Sequence, residues 1–332
     1  MKAVVLTDIN KMAVAEVAMP TAGPGQSVIK VLACGICGTD RHIYRGEYPS
    51  TKPVILGHEF GGEISAVGLG SKFKVGQLVS IDPNIVCGKC VDCQAKRTAF
   101  CPELTALGVN INGGLAQYVV TPDSQIYPVP ADLNPLHLAF IEPLACSIRA
   151  LDLAALSGGE KVAVLGGGVI GLLVVQLAKL AGASEIILVT RQKKRREIAE
   201  QTGATRTVDP KSQIVGEEIK NMDVTFECAG AVDTFTQAQQ VTRRGGAIIV
   251  LGLTAADTKV EIKPFDIVVN EHRIQGSFLN PHTQARAATL VSSGKLDLDR
   301  LISKVVGLDG VCDILNSDPA EGDIKYIMSP TK

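Results

Sequence analysis

The chain has 332 residues, of which 46% are hydrophobic and 20% charged, with a formal net charge of −1 at pH 7. That length favours two domains with a sizeable core, and the composition excludes a disordered protein. The near-zero charge argues against partners held by bulk electrostatics, so neither nucleic acid nor a membrane surface is expected. Residues 1–6 meet a polar stretch too early for a signal peptide, and no apolar run reaches bilayer-spanning length, so a cytoplasmic location is expected. Nine cysteines in such a chain point to metal ligation or free thiols, not to disulfides.

In chain order, residues 1–130 predict a mostly β segment. Its strand candidates are 3–7, 27–33, 60–67, 78–81, 115–120 and 124–129, separated by Gly, Pro and Asn signals. Residues 135–156 predict a helix, stopped by Ser157-Gly158-Gly159. From 161 to about 280, strand candidates (162–165, 185–189, 205–208, 224–227, 247–251, 273–277) alternate with helical stretches, the pattern of a doubly wound parallel sheet. The last 50 residues are too few for a third domain and are expected to return to the first.

The stretch from Lys161 to Arg191 organises this second half. A buried-strand run is followed by Gly166, Gly168 and Gly171 in G-x-G-x-x-G, and then by Val169, Ile170 and further residues apolar almost all round to Leu180. The first glycine permits a tight turn, the second a close approach to pyrophosphate, and the third close helix–strand packing. The helix N-terminus offers unpaired N–H groups to the phosphates. A dinucleotide site is therefore expected here.

Cys87, Cys90, Cys93 and Cys101 form C-x2-C-x2-C-x7-C. Four thiolates on one loop suit a closed tetrahedral zinc site. The last spacing is longer than in the ferredoxin pattern, and no cysteines for a second cluster are present, which disfavours iron–sulfur ligation. A second, dispersed set is Cys37, His58, Glu59 and Glu142. Glycines beside the first three suggest tight turns around a shared object, and such a ligand set would leave a position open on a catalytic zinc. Spacing alone equally allows a buried apolar cysteine and a surface His-Glu pair.

Taken together, Cys34-Gly35-Ile36-Cys37-Gly38-Thr39-Asp40-Arg41-His42, Gly57-His58-Glu59, the four-cysteine loop, Ile141-Glu142-Pro143-Leu144 and the 166–171 loop resemble the zinc-dependent medium-chain dehydrogenase/reductase family, in particular its polyol branch. The resemblance spans essentially the whole chain. It implies an α/β protein in which a GroES-like β catalytic domain (1–145) and a Rossmann domain (146–282) are followed by a return to the first domain (283–332). It also implies that Cys37, His58 and Glu59 bind catalytic zinc, with Glu142 a direct ligand or one through water. Thr39 and His42 would relay the proton of a secondary alcohol whose hydride goes to a nicotinamide. A homodimer or homotetramer acting on a small-molecule polyol is the implied assembly.

Where an NAD site usually ends its second strand in an acid, this chain has Thr190-Arg191, the start of a run with five cations in six residues from Arg191. A guanidinium can hold a 2′-phosphate that a carboxylate would repel, so NADP is favoured over NAD through Arg191 and more weakly Arg195. Lys193, Lys194 and Arg196 read as solvated. Cys228, Gly252 with Leu253, and Phe278 with Asn280 follow later strands, at the carboxyl edge where open α/β sheets bind ligands, and by resemblance line the adenosine and nicotinamide pockets. The expected activity is oxidation of a pentitol or hexitol to a ketose. A threonine or other small secondary-alcohol dehydrogenase is the alternative within the enzyme class. A crystallin-like or sensor protein that binds NADPH without catalysis would be expected to have lost Cys37, Thr39, His58 or Glu59, and all four are present.

Overall fold

The computed structural model describes residues 1–332, which form two compact units, one of 1–145 with 281–332 and one of 146–280. In the first unit a seven-stranded sheet runs in the order Ile126–Pro128, Leu78–Ile81, Glu59–Val67, Gln26–Ile36, Lys325–Met328, Ile302–Val306, with Tyr118–Pro122 pairing the first half of Gln26–Ile36. Two strands from the last 50 residues thus complete a sheet begun near residue 26. A smaller sheet of Lys11–Glu16, Lys2–Asp8 and Val54–Ile55 closes over a shared apolar core that includes Val4, Leu6, Ile29, Phe60, Ile64 and Ile81.

Local chemistry moves several elements from their predicted bounds. The strand expected from 115 begins at Tyr118, because the Leu115 N–H donates to Leu56 and its carbonyl accepts from Val4, which diverts it from the ladder. The helix expected from 135 opens as a 3-10 turn, Pro135–Phe140, and becomes α-helical only over Ile141–Ala154. Pro143 has no N–H to offer the Ala139 carbonyl, so an unbroken α-ladder cannot cross this point.

The second unit is one parallel sheet of six strands, ordered Arg206–Val208, Glu185–Val189, Lys161–Leu165, Met222–Glu227, Thr242–Val250, Arg273–Gly276. Strand order reverses beside Lys161–Leu165, and such a switch point is where open α/β sheets take ligands. The helix Val169–Leu180 follows that strand and buries residues 171–178, as its apolar composition requires.

Glu160 secures the turn that enters the sheet. Its carboxylate accepts the Ser157 N–H and hydroxyl and the Gly158 N–H at 2.7–2.9 Å, which lowers its pKa to about 2. A depressed carboxylate pKa contributes stability above the unfolded value, near 4.3, and loses it as pH falls towards the folded value. After screening at this largely open site the contribution is on the order of 1 kcal/mol. Glu160→Gln is therefore expected to lower the melting temperature at pH 7 and to melt with the parent near pH 2, in paired thermal melts.

Candidate zinc centres and dinucleotide site

The short helix Gly38–Tyr44 is started by its own candidate ligand. Cys37 is the N-cap, its sulfur accepting the Thr39 N–H at 3.5 Å, while Asp40 accepts the Cys37 N–H at 2.9 Å. Asp40 is fully buried and also accepts the Gly57 N–H at 3.2 Å, tying the turn before His58 to the turn that carries Cys37. The ligand atoms of Cys37, His58 and Glu59 consequently lie within 4.8 Å of one another. Burial works against a charged His58 imidazole, but Asp40 and then Cys37 outweigh it and push its pKa well above the ordinary value. Asp40 Oδ1 stands 3.5 Å from His58 Nδ1, an ion-pair distance, and that buried nitrogen makes no hydrogen bond. Three donors of mixed type, with buried positive and negative partners already in place, fit a zinc ion with an open coordination position.

Glu142 lies outside that trio. It is 8% exposed at the start of Ile141–Ala154, and its charge reaches Lys325. Lys325 itself has no counterpart among the sequence expectations. It is 1% exposed and pairs with Glu59 across the central strand. The register explains the meeting: Gly35 lies opposite Glu59 on one side and opposite Ile327 on the other. A Cβ at Gly35 would collide with the Glu59 carboxylate and with the Lys325 side chain, so glycine is what lets the pair close over the backbone. Burial disfavours the Lys325 charge, but Glu59 and then Cys37 outweigh it, leaving its pKa raised.

Asp40 was also given no role from sequence, although Cys37-x-x-Asp40 has capping-box spacing. The signal for Lys325 is a single cation in the apolar strand Lys325–Met328. Thr39 and His42 lie on the Gly38–Tyr44 helix, and His42 Nδ1 is 2.6 Å from the half-exposed Glu47 carboxylate. That helix is fastened to the end of Val311–Asn316: Arg41 donates to the Ile314 and Ser317 carbonyls and Arg45 pairs with Asp318 at 2.9 Å.

Cys87, Cys90, Cys93 and Cys101 converge with all four sulfurs within 4.8 Å. Cys87 and Cys93 sulfurs are 4.0 Å apart; a tetrahedral zinc with bonds of about 2.3 Å spaces its sulfurs about 3.8 Å apart. Backbone N–H groups of Cys87, Cys90 and Cys93 each donate to a cysteine sulfur at 3.4 Å. N–H groups of Lys89 and Cys90 bring the Cys87 pKa to about 7, while burial and the neighbouring Cys90 drive Cys93 to about 12. Four sulfurs this close would repel one another as thiolates, so the donor set suits a cation between them. Cys93→Ser is expected to remove one zinc per chain and make residues 87–101 the first site of limited proteolysis.

In the second unit Gly166 has φ +114, and Gly171 packs on the Gly166 carbonyl and Val164. A Cβ at Gly168 would meet nothing within 4 Å, and the helix that Gly168 caps has no side-chain cap, so its N–H end with Val169 and Ile170 stands open to an anion. Thr190 is buried and packs against Gly167, whereas Arg191 is exposed at the strand end. Arg195 is partly buried. Arg196, read as solvated, instead donates to the Thr190 carbonyl at 2.7 Å and pairs with Asp209 at 2.9 Å. The helix Lys193–Thr202 turns this cation inward over the strand end, a placement that charge pattern alone could not reveal. Cys228, Gly252, Leu253 and Phe278 follow their strands at the carboxyl edge, Leu253 and Phe278 exposed, while Asn280 is buried.

Residues 23–131 match the alcohol dehydrogenase GroES-like domain and residues 169–293 match the zinc-binding dehydrogenase domain. The chain is 33% identical to a sorbitol dehydrogenase of Bacillus subtilis, over 95% of this chain and 92% of the relative. It is also 33% identical to an L-threonine 3-dehydrogenase of Pyrococcus furiosus, over 89% of this chain and 88% of the relative. Among solved structures, a zinc-binding dehydrogenase from Sinorhizobium meliloti bound to NADP superposes with a TM-score of 0.98 and 45% identity, covering 99% of both chains.

Proposed function

Since the chain belongs to the zinc-dependent medium-chain dehydrogenase family, in its polyol branch, we propose that it oxidises a secondary hydroxyl of a pentitol or hexitol to a ketose. One hydride passes to NADP and one proton to water. The observation that carries this reading is the convergence of Cys37, His58 and Glu59 beside a buried cation. When bound, zinc would supply the Lewis acidity that makes a secondary hydroxyl ionise near neutral pH, and the nicotinamide a hydride acceptor. Cys37 and His58 would hold the metal, Asp40 would fix the His58 ring, and Glu59 or Glu142 would complete the set. Thr39 would take the hydroxyl proton and His42 would deliver it to solvent, where Glu47 already engages its Nδ1.

NADP is favoured because the exposed Arg191 stands where an acid would otherwise meet the ribose 2′-hydroxyl. Arg191→Ala is expected to raise the KM for NADP about tenfold and to leave NAD nearly unchanged, the value of a charge-assisted phosphate contact. Initial rates with both dinucleotides would show this; an unchanged NADP/NAD ratio would refute the phosphate pocket.

We further propose that the chain works as a homo-oligomer. The edge strand Arg273–Gly276 and the helix Pro264–Asn270, with Phe265 and Val268 each 74% exposed, are the surface a second copy would cover.

An initial-rate screen of pentitols, hexitols, their phosphates, L-threonine and small secondary alcohols tests the substrate class. A polyol turned over fastest, with a ketose product, is expected. Faster turnover of L-threonine or a simple alcohol would overturn the polyol assignment while leaving the dehydrogenase chemistry intact.

A further inference from the structure

The strand Met222–Glu227 ends on a carboxylate that is 1% exposed and that the proposed zinc and dinucleotide contacts do not use. A single oxygen, Glu227 Oε1, accepts three hydrogen bonds: from the Ala229 N–H at 2.9 Å, the Gly230 N–H at 2.9 Å and the Thr234 hydroxyl at 2.8 Å. The backbone carbonyl of the same residue accepts the N–H groups of Leu251 at 2.8 Å and Gly252 at 3.0 Å. One residue therefore ties together the loops that leave two neighbouring strands, Met222–Glu227 and Thr242–Val250. The packing is close. A Cβ on Gly252 would come within 2.5 Å of Glu227 Oε2, and one on Gly230 within 2.5 Å of the Leu253 carbonyl. The glycine loop joins the same knot, because Cys228 donates to the Leu165 carbonyl at 2.8 Å and a Cβ on Gly166 would lie 2.8 Å from the Ala229 nitrogen.

The successive N–H groups of Ala229 and Gly230, with Gly230 at φ +66, form a concavity of the kind that binds anions. Here the chain's own carboxylate fills it. At the same carboxyl edge the N-terminus of Val169–Leu180 has no side-chain cap. Two places on one edge could thus attract a phosphate, and one of them is already neutralised from within.

We infer that Glu227 is a positioning residue for dinucleotide binding: it fixes loops 228–231 and 251–253 in the shape the cofactor meets, and by occupying the N–H concavity it leaves the phosphates to the glycine loop. The inference rests on the dinucleotide reading of this edge.

The test is the dissociation constant for NADPH and NADH, measured by cofactor fluorescence on the zinc-loaded full chain. The variants are Glu227→Gln, Glu227→Ala and Thr234→Val. Removing the charge, or one donor to it, is expected to weaken binding about threefold to tenfold in Glu227→Gln and Thr234→Val, and about thirtyfold in Glu227→Ala. The smaller losses are those of one ordinary net hydrogen bond and the largest that of a hydrogen bond to a charged group. Turnover at saturating cofactor should stay within about threefold, so the cofactor KM carries the loss. Inorganic phosphate should compete with NADPH more strongly in Glu227→Ala, where the concavity is opened. A purely structural role would lower the melting temperature and leave the dissociation constants alone. Values within about twofold of the parent in both Glu227→Gln and Thr234→Val would overturn the inference, even if Glu227→Ala fails to fold. A parent chain that binds neither dinucleotide would overturn the reading of the edge itself, and this inference with it.

Discussion

Cys37→Ser is expected to reduce dehydrogenase turnover at least a thousandfold while the protein keeps its fold and one zinc per chain. The thiolate is the softest donor of the Cys37, His58, Glu59 trio, and a hydroxyl is a poor substitute for it as a zinc ligand. With the metal lost, Lys325 stays paired with Glu59, and an alcohol whose intrinsic pKa is near that of water stays protonated near neutral pH. The fold should survive because Cys37 acts locally as a helix N-cap, a role serine performs at least as well by accepting the Thr39 N–H. Circular dichroism, metal analysis and initial rates on one preparation separate the two effects. Loss of structure together with activity would mean that Cys37 is a structural residue.

Lys325→Met is expected to destabilise the first unit by about 3–5 kcal/mol, the cost of leaving one partner of a buried ion pair uncompensated. Glu59 would then remain a buried carboxylate beside Cys37, with its counter-charge replaced by a thioether. The cost should be largest in zinc-free protein, since a bound dication supplies part of the missing positive charge. Adding Glu59→Gln to Lys325→Met should recover most of the stability without restoring activity, because the double change removes both charges. Denaturant unfolding of the zinc-loaded and metal-free forms measures this. A loss below about 1 kcal/mol in metal-free Lys325→Met would show that the pair is not what holds Glu59.

Raised pKa values fix the sign of the pH dependence here. Lys325, with its folded pKa above the ordinary lysine value, contributes its pairing fully below that ordinary value, near 10.4, and loses it only as pH rises through the folded value.

What the sequence made legible follows from how local each signal is. The four cysteines stand within 15 residues, and the glycine loop lies between a strand and the helix it starts, so short-range spacing sufficed to propose both sites. The zinc-dependent medium-chain dehydrogenase family and its α/β architecture were legible from the order of the motifs, and the comparisons show both. Lys325 was not legible. It reaches Glu59 from 266 residues away, through a strand register that only the folded sheet defines. Glu227 lay one residue before a singled-out position, yet nothing in its neighbours says that the side chain folds back to accept three donors. Arg196 failed for a related reason: in a run of cations, which one turns inward depends on the helix phase and on Asp209, 13 residues on. The strand Ile302–Val306 escaped notice because its burial pattern is irregular and it is an edge strand whose one partner, Lys325–Met328, lies about 20 residues further along the chain.

The measurement that bears most directly on the zinc-dependent polyol dehydrogenase assignment is the rate of dinucleotide-dependent pentitol and hexitol oxidation before chelation, after chelation and after zinc is returned. The account predicts about two zinc ions per chain at the start, a rate that disappears with the metal that Cys37, His58 and Glu59 would hold, and its recovery with added zinc. An undiminished rate in metal-free protein, or a fully zinc-loaded chain that oxidises no polyol with either dinucleotide, would contradict it.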